Sequence, residues 1–165
     1  MAFISRFLDT NGDNTGTTNA NGDYSSVSGE FYIQPPAGEY YDIHRMIVSI
    51  GDTKGMSAEE YGNLGAALTN GITLKLLGAG DALITQFTPI PAKSNASWGI
   101  FCYDVDVKSW GTSPTDELLV ARWTFTKSGR PIRLADNNKL MITCDDDLQG
   151  LITHYFLVQG QGGTV

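Results

Sequence analysis

The run Asp9-Thr10-Asn11-Gly12-Asp13-Asn14 places oxygen-bearing side chains at alternate positions around a glycine, which is how a loop begins to wrap a calcium ion. Asp9, Asn11 and Asp13 are therefore the candidate metal ligands. An EF-hand loop closes on a bidentate glutamate at its twelfth position, where this sequence has Ala20, and it needs flanking helices that the neighbouring residues do not supply. The expectation is a solvated turn without a metal. Asp145-Asp146-Asp147 concentrates charge between two strand-like runs and could gather a divalent ion. Such a run is usually an exposed turn, since like charges repel unless something binds them.

His44 and His154 could each act as a general base or metal ligand. His44 has Asp42 and Arg45 near it in the chain, and His154 has Thr153 and Tyr155. No nucleophile elbow, paired histidine ligands or glycine-rich phosphate loop can be assembled around either, so both are expected as core or interface residues. Cys102 and Cys144 are too few and too far apart for a disulfide framework or a zinc site, and buried thiols are expected. No pair of carboxylates stands out as a glycosidase dyad. The chain reads as non-enzymatic, with no catalytic residue and no cofactor.

Trp98, Trp110 and Trp123, with Tyr40, Tyr41, Tyr103 and Tyr155, could form a sugar platform or an interface, although core packing accounts for most of them. Trp110 stands apart. It lies in Lys108-Ser109-Trp110-Gly111-Thr112-Ser113-Pro114, which has no strand pattern, and so reads either as a loop anchor against a neighbouring subunit or as a loop residue folded back over its own sandwich. Phe3 and Phe7, in the short apolar entry segment Phe3 to Leu8, are the other candidate partner contacts.

The elements that must carry these residues are strands. At 165 residues one hydrophobic core is comfortably filled, and 41% hydrophobic against 18% charged residues describes a folding chain. Nineteen glycines, with many Thr, Asn, Ser and Asp, are the composition of short strands and tight turns. Strands are expected at 30–34, 40–50, 72–77, 82–87, 97–105, 118–126, 139–144 and 151–158. Along Tyr40 to Ile50 the alternation is imperfect, with Tyr41, Ile43, Arg45 and Ile47 on one side and Met46, Val48 and Ile50 on the other. Ser57-Ala58-Glu59-Glu60 is a capping box, followed by Tyr61, Leu64 and Leu68 at helical spacing. The expected fold is all-β: a jelly-roll-like sandwich of two antiparallel sheets over 29–165, with one short helix inserted in a connection. Residues 1–28 read as a polar N-terminal arm or loop whose removal would leave the domain folded.

A net charge of −7 without a Lys/Arg cluster argues against nucleic acid as a partner. No apolar run reaches the ~20 residues of a membrane span, and no secretory leader is visible at the N-terminus. Neither a membrane nor an export route is expected.

The run F-Y-I-Q-P-P-A-G-E-Y-Y-D-I-H-R-M-I-V-S-I-G-D-T, from Phe31 to Thr53, resembles small virion structural proteins of tailed bacteriophages. So do D-D-L-Q-G-L-I-T-H-Y-F-L-V-Q-G, from Asp146 to Gly160, and the opening F-L-D-T-N-G-D-N-T-G-T. The resemblance implies a capsid decoration or cement protein, often a jelly-roll trimer, made in the host cytoplasm and carried on the virion. Its partners would be the major capsid protein or another virion protein and further copies of itself. The alternatives are a tail or baseplate component that binds host carbohydrate through exposed aromatics, and a jelly-roll enzyme. Two histidines are few for the multi-histidine site of a cupin, which counts against the latter.

Overall fold

A computed structural model of the chain describes residues 1–16, 20–51, 70, 72–87, 99–101, 105–110, 118–135, 137–149 and 153–165. In chain order the strands are β1 (Ala2–Phe7), β2 (Gly29–Ile33), β3 (Glu39–Gly51), β4 (Ile72–Leu77), β5 (Leu83–Gln86) and β6 (Gly99–Phe101). β7 (Val105–Trp110), β8 (Leu118–Thr124), β9 (Ile132–Leu134), β10 (Lys139–Cys144) and β11 (Thr153–Thr164) complete them. No α-helix occurs among the described residues, and the helix expected after Ser57 falls outside them, as do Trp98, Cys102 and Tyr103.

The strands form two antiparallel sheets, ordered β1-β11-β3-β8-β7-β6 and β2-β10-β4-β5, with β9 also pairing β3. The four-strand sets β1-β11-β3-β8 and β2-β10-β4-β5 have jelly-roll connectivity. The first strand pairs with the last, the second with the last but one, and the chain changes sheet at most connections. β7 and β6 widen the first sheet beyond β8.

Alternation sets which side chains meet between the sheets. Phe31 and Ile33 of β2, Ile72 and Leu74 of β4, and Leu140 and Ile142 of β10 face Met46 and Val48 of β3, Trp123 of β8, and Phe156 and Val158 of β11. All of these are buried. The Phe31 and Phe156 rings join the two sheets at 5.2 Å between centroids. Each large side chain buried in this layer contributes roughly 1.5–3 kcal/mol, which makes the inter-sheet core the main support of the fold.

The broken alternation of β3 has a physical cause. Gln159 of β11 faces Arg45 while the next residue, Gly160, faces Ile43, so His44 is an extra residue opposite no partner. This bulge resets the parity. Tyr41 and Ile43 therefore join Met46 and Val48 in the core, and Ile47 lies half-buried on the other side, which corrects the two-sided grouping expected from the sequence.

Three further expectations need correction. The division at residue 28 does not follow the packing: β1 pairs with β11 from Ala2 to Phe7, and Ile4, Leu8 and Ala20 belong to the core. At Leu8–Asp9 the chain passes from the first sheet to the second, because the Leu8 N–H donates to the Phe156 carbonyl while Asp9 and Tyr32 exchange backbone hydrogen bonds. The outer edge of β2 is thereby covered, as an edge strand needs. Trp110 is the last residue of β7, paired with Leu118, and not a loop residue. The single strand expected at 97–105 is instead β6, ending at Phe101, and β7, starting at Val105. β8 stops at Thr124, where Phe125–Ser128 turns as a 3-10 segment closed by Gly129 at φ 92°.

Candidate functional site

Asp9 is fully buried, and both of its carboxylate oxygens are used inside the chain. Oδ1 accepts the backbone N–H groups of Asn11 (3.0 Å) and Gly12 (2.5 Å), and Oδ2 accepts that of Gly16 (2.8 Å). Asp13 Oδ1 accepts the N–H and hydroxyl of Thr15, which hold its carboxyl below the usual range. These carboxylates organise the loop backbone and do not point at a common centre. Gly12 sits at φ +80° with its missing Cβ against the Tyr32 ring, and its carbonyl accepts the Gln34 N–H, so the loop is pinned along β2.

The aspartate run is similarly engaged. Asp146 is buried and accepts the backbone N–H of Asn70 at 2.9 Å through Oδ2. Asp147 accepts the Gln149 N–H, and Asp145 takes the Ser28 hydroxyl. Backbone bonds from Tyr24 to Asp146 and from Leu148 to Gly22 dock the N-terminal loop on this turn. Among the described residues no three His, Cys, Asp or Glu side chains gather as a metal site. The buried Cys144 thiol is pushed up to about 12 by desolvation, then by Asp145 and Asp146, so its thiolate is scarce at neutral pH.

The histidines are not brought together. His154 lies in β11 opposite Ile50, and its side chain is outside the described residues. His44 stands half-buried at the bulge. Its neighbouring acid, Asp42, is held by Arg133: Nε donates to Oδ1 at 2.8 Å and Nη2 to Oδ2 at 2.7 Å. That pair keeps the Asp42 carboxyl below its ordinary range, and the Arg133 guanidinium in turn lies 4.4 Å over the Tyr40 ring. The carboxylate that could orient His44 is thus committed elsewhere.

What the bulge does create is a shallow cleft of about 290 Å³ on the outer face of the first sheet. On the β3 side His44, in the gap between the β8 and β9 pairings, and Arg45, opposite Thr124, line it together with Thr124 and Thr126. Gln159, Gly160 and Gln161 of β11 form the other side, and Phe3 closes it from β1. The sequence carried one sign of this site, the irregular alternation through His44 and Arg45.

Along the same β1–β11 edge runs an exposed apolar row. Phe3 is 73% exposed, Phe7 39% and Tyr155 48%, and the Phe7 and Tyr155 rings lie 5.9 Å apart. Phe7 pairs with Leu157, which pairs with Ile47, so partly covered aliphatic residues continue the row across three strands. Of the three expected partner contacts the structure brings Phe3 and Phe7 to one strand, whereas Trp110 is on β7, beyond β3 and β8. Tyr155 is among the aromatics for which the sequence leaves both an interface and core packing open, and nothing in its local sequence decides between them. Comparison with family profiles, curated proteins and solved structures gives no match.

Proposed function

We propose that the protein is a non-enzymatic virion structural protein, a capsid decoration or cement protein that bridges neighbouring shell subunits as an oligomer. The carrying observation is the row of Phe7 and Tyr155 beside Leu157 and Ile47 on the outer face of the first sheet, with Phe3 exposed on the same edge. Exposed aromatics that already touch each other before binding lose little freedom when covered, which is the character of an interface anchor. The occupant is a shell subunit. The sequence resemblance to phage virion proteins supports that choice, and a net charge of −7 disfavours nucleic acid. Several copies acting together would hold the shell through individually modest contacts.

The test is co-sedimentation of the purified chain with shells assembled without it. The wild type should sediment saturably, and the double variant Phe7→Ser/Tyr155→Ser should bind roughly 30-fold more weakly or worse, the effect of losing one interface anchor. Equal sedimentation of a folded double variant would remove this face from the interaction. Absence of wild-type binding would remove the function.

A further inference from the structure

We propose that the cleft at the β3/β11 bulge binds a sugar bearing a carboxylate group, a site separate from the Phe7–Tyr155 row and independent of the shell-binding reading.

The chemistry of the walls selects the ligand. Gln159 and Gln161 are two apart on β11 and so share a face, where each amide offers both an acceptor oxygen and a donor NH₂. Thr124 at the end of β8 and Thr126 in the 3-10 segment that follows add hydroxyls. Such groups match vicinal sugar hydroxyls, which donate and accept at once. Phe3 pairs with Gln161 across the β1–β11 ladder and offers an exposed ring for the C–H face of a pyranose. Gly160 lies between the two glutamines and contributes backbone to the cleft lining.

Charge then chooses among sugars. Among the described residues no carboxylate lines the cleft, and Asp42, the acid nearest in the chain, is engaged by Arg133. Arg45 donates from Nε to Gln159 Oε1 at 2.5 Å, which orients the guanidinium, and it has no carboxylate partner among the described residues. Its remaining donors suit a ligand carboxylate. An apolar ligand would strip water from the amides without replacing their hydrogen bonds, and a polyphosphate would call for more than this one arginine. A cation would find no acid among the described residues of the lining. At about 290 Å³ the cleft is at the small end of ligand sites, with room for one ring and part of the next.

The full chain, ¹⁵N-labelled, should be titrated by NMR with a galacturonic acid disaccharide, the matching neutral galactose disaccharide, and acetate. The expected result is saturable shifts at the Gly160 and Gln161 amides, with the acidic disaccharide bound roughly tenfold more tightly than the neutral one, about one charge-assisted hydrogen bond. Arg45→Gln should erase that preference, Gln161→Ala should weaken both sugars, and Phe7→Ser should change neither. The spectra themselves report whether each variant is folded. Acetate binding as well as the acidic sugar would make this a plain anion site and overturn the proposal. So would the absence of saturable shifts, or an undiminished preference in a folded Arg45→Gln. Shell sedimentation reads a different pair of residues, so either reading can fail alone.

Discussion

Replacing Gly160 with alanine should lower stability by about 3–4 kcal/mol, a loss of roughly 10 °C in Tm for a domain of this size. A Cβ built on Gly160 falls 2.0 Å from the Asp42 carbonyl oxygen, 2.9 Å from its carbon and 3.0 Å from the Ile43 Cα. All three are backbone atoms of the paired strand, so no rotamer change can relieve the clash. β3 and β11 have to part, and they share the longest ladder among the described residues, from Glu39 opposite Thr164 to Gly51 opposite Thr153. Gly163→Ala is the control. The nearest atoms to its added Cβ belong to the Tyr40 side chain, the hydroxyl oxygen at 3.0 Å and ring carbons at 3.1 Å, and a half-exposed tyrosine can move. Thermal unfolding of the two variants should differ by several degrees, and equal Tm values would mean that the bulge does not depend on glycine.

Asp9→Ala should cost about 3 kcal/mol, because three N–H groups lose their acceptor at once in a loop that is partly or wholly buried. Asp9→Asn should lie between alanine and wild type. An amide oxygen can still take the Asn11 and Gly12 N–H groups, but the NH₂ that replaces Oδ2 would face the Gly16 N–H, donor against donor. Calcium should leave the wild-type Tm unchanged, since both oxygens of Asp9 already accept hydrogen bonds from the chain. A calcium-dependent rise in Tm that Asp9→Asn abolishes would restore the metal reading of Asp9, Asn11 and Asp13.

The sandwich was legible because its signals are local. Ile72–Leu77 and Lys139–Cys144 alternate or run apolar between turn residues, and both begin and end where the sequence places them. Residues whose role comes from a distant partner were not legible. Asp9 looks like a calcium ligand because the residues that satisfy it are backbone N–H groups, which carry no side-chain signature. The bulge is set jointly by His44 and Gly160, more than a hundred residues apart, and it decides that Ile43 and Met46 share a face. Phe3 to Leu8 looks like a loose entry segment, since its pairing partner is the far end of the chain. The cleft inherits this difficulty: Phe3, Arg45, Thr124 and Gln161 come from four strands and form no motif.

The measurement that bears most directly on a structural role is electron microscopy of the particle with which the full-length chain copurifies. The expected result is density for the jelly roll on the outside of an icosahedral shell, with Phe7 and Tyr155 buried against a shell subunit. A particle without a shell, or a shell-bound jelly roll with that face turned to solvent, would contradict it.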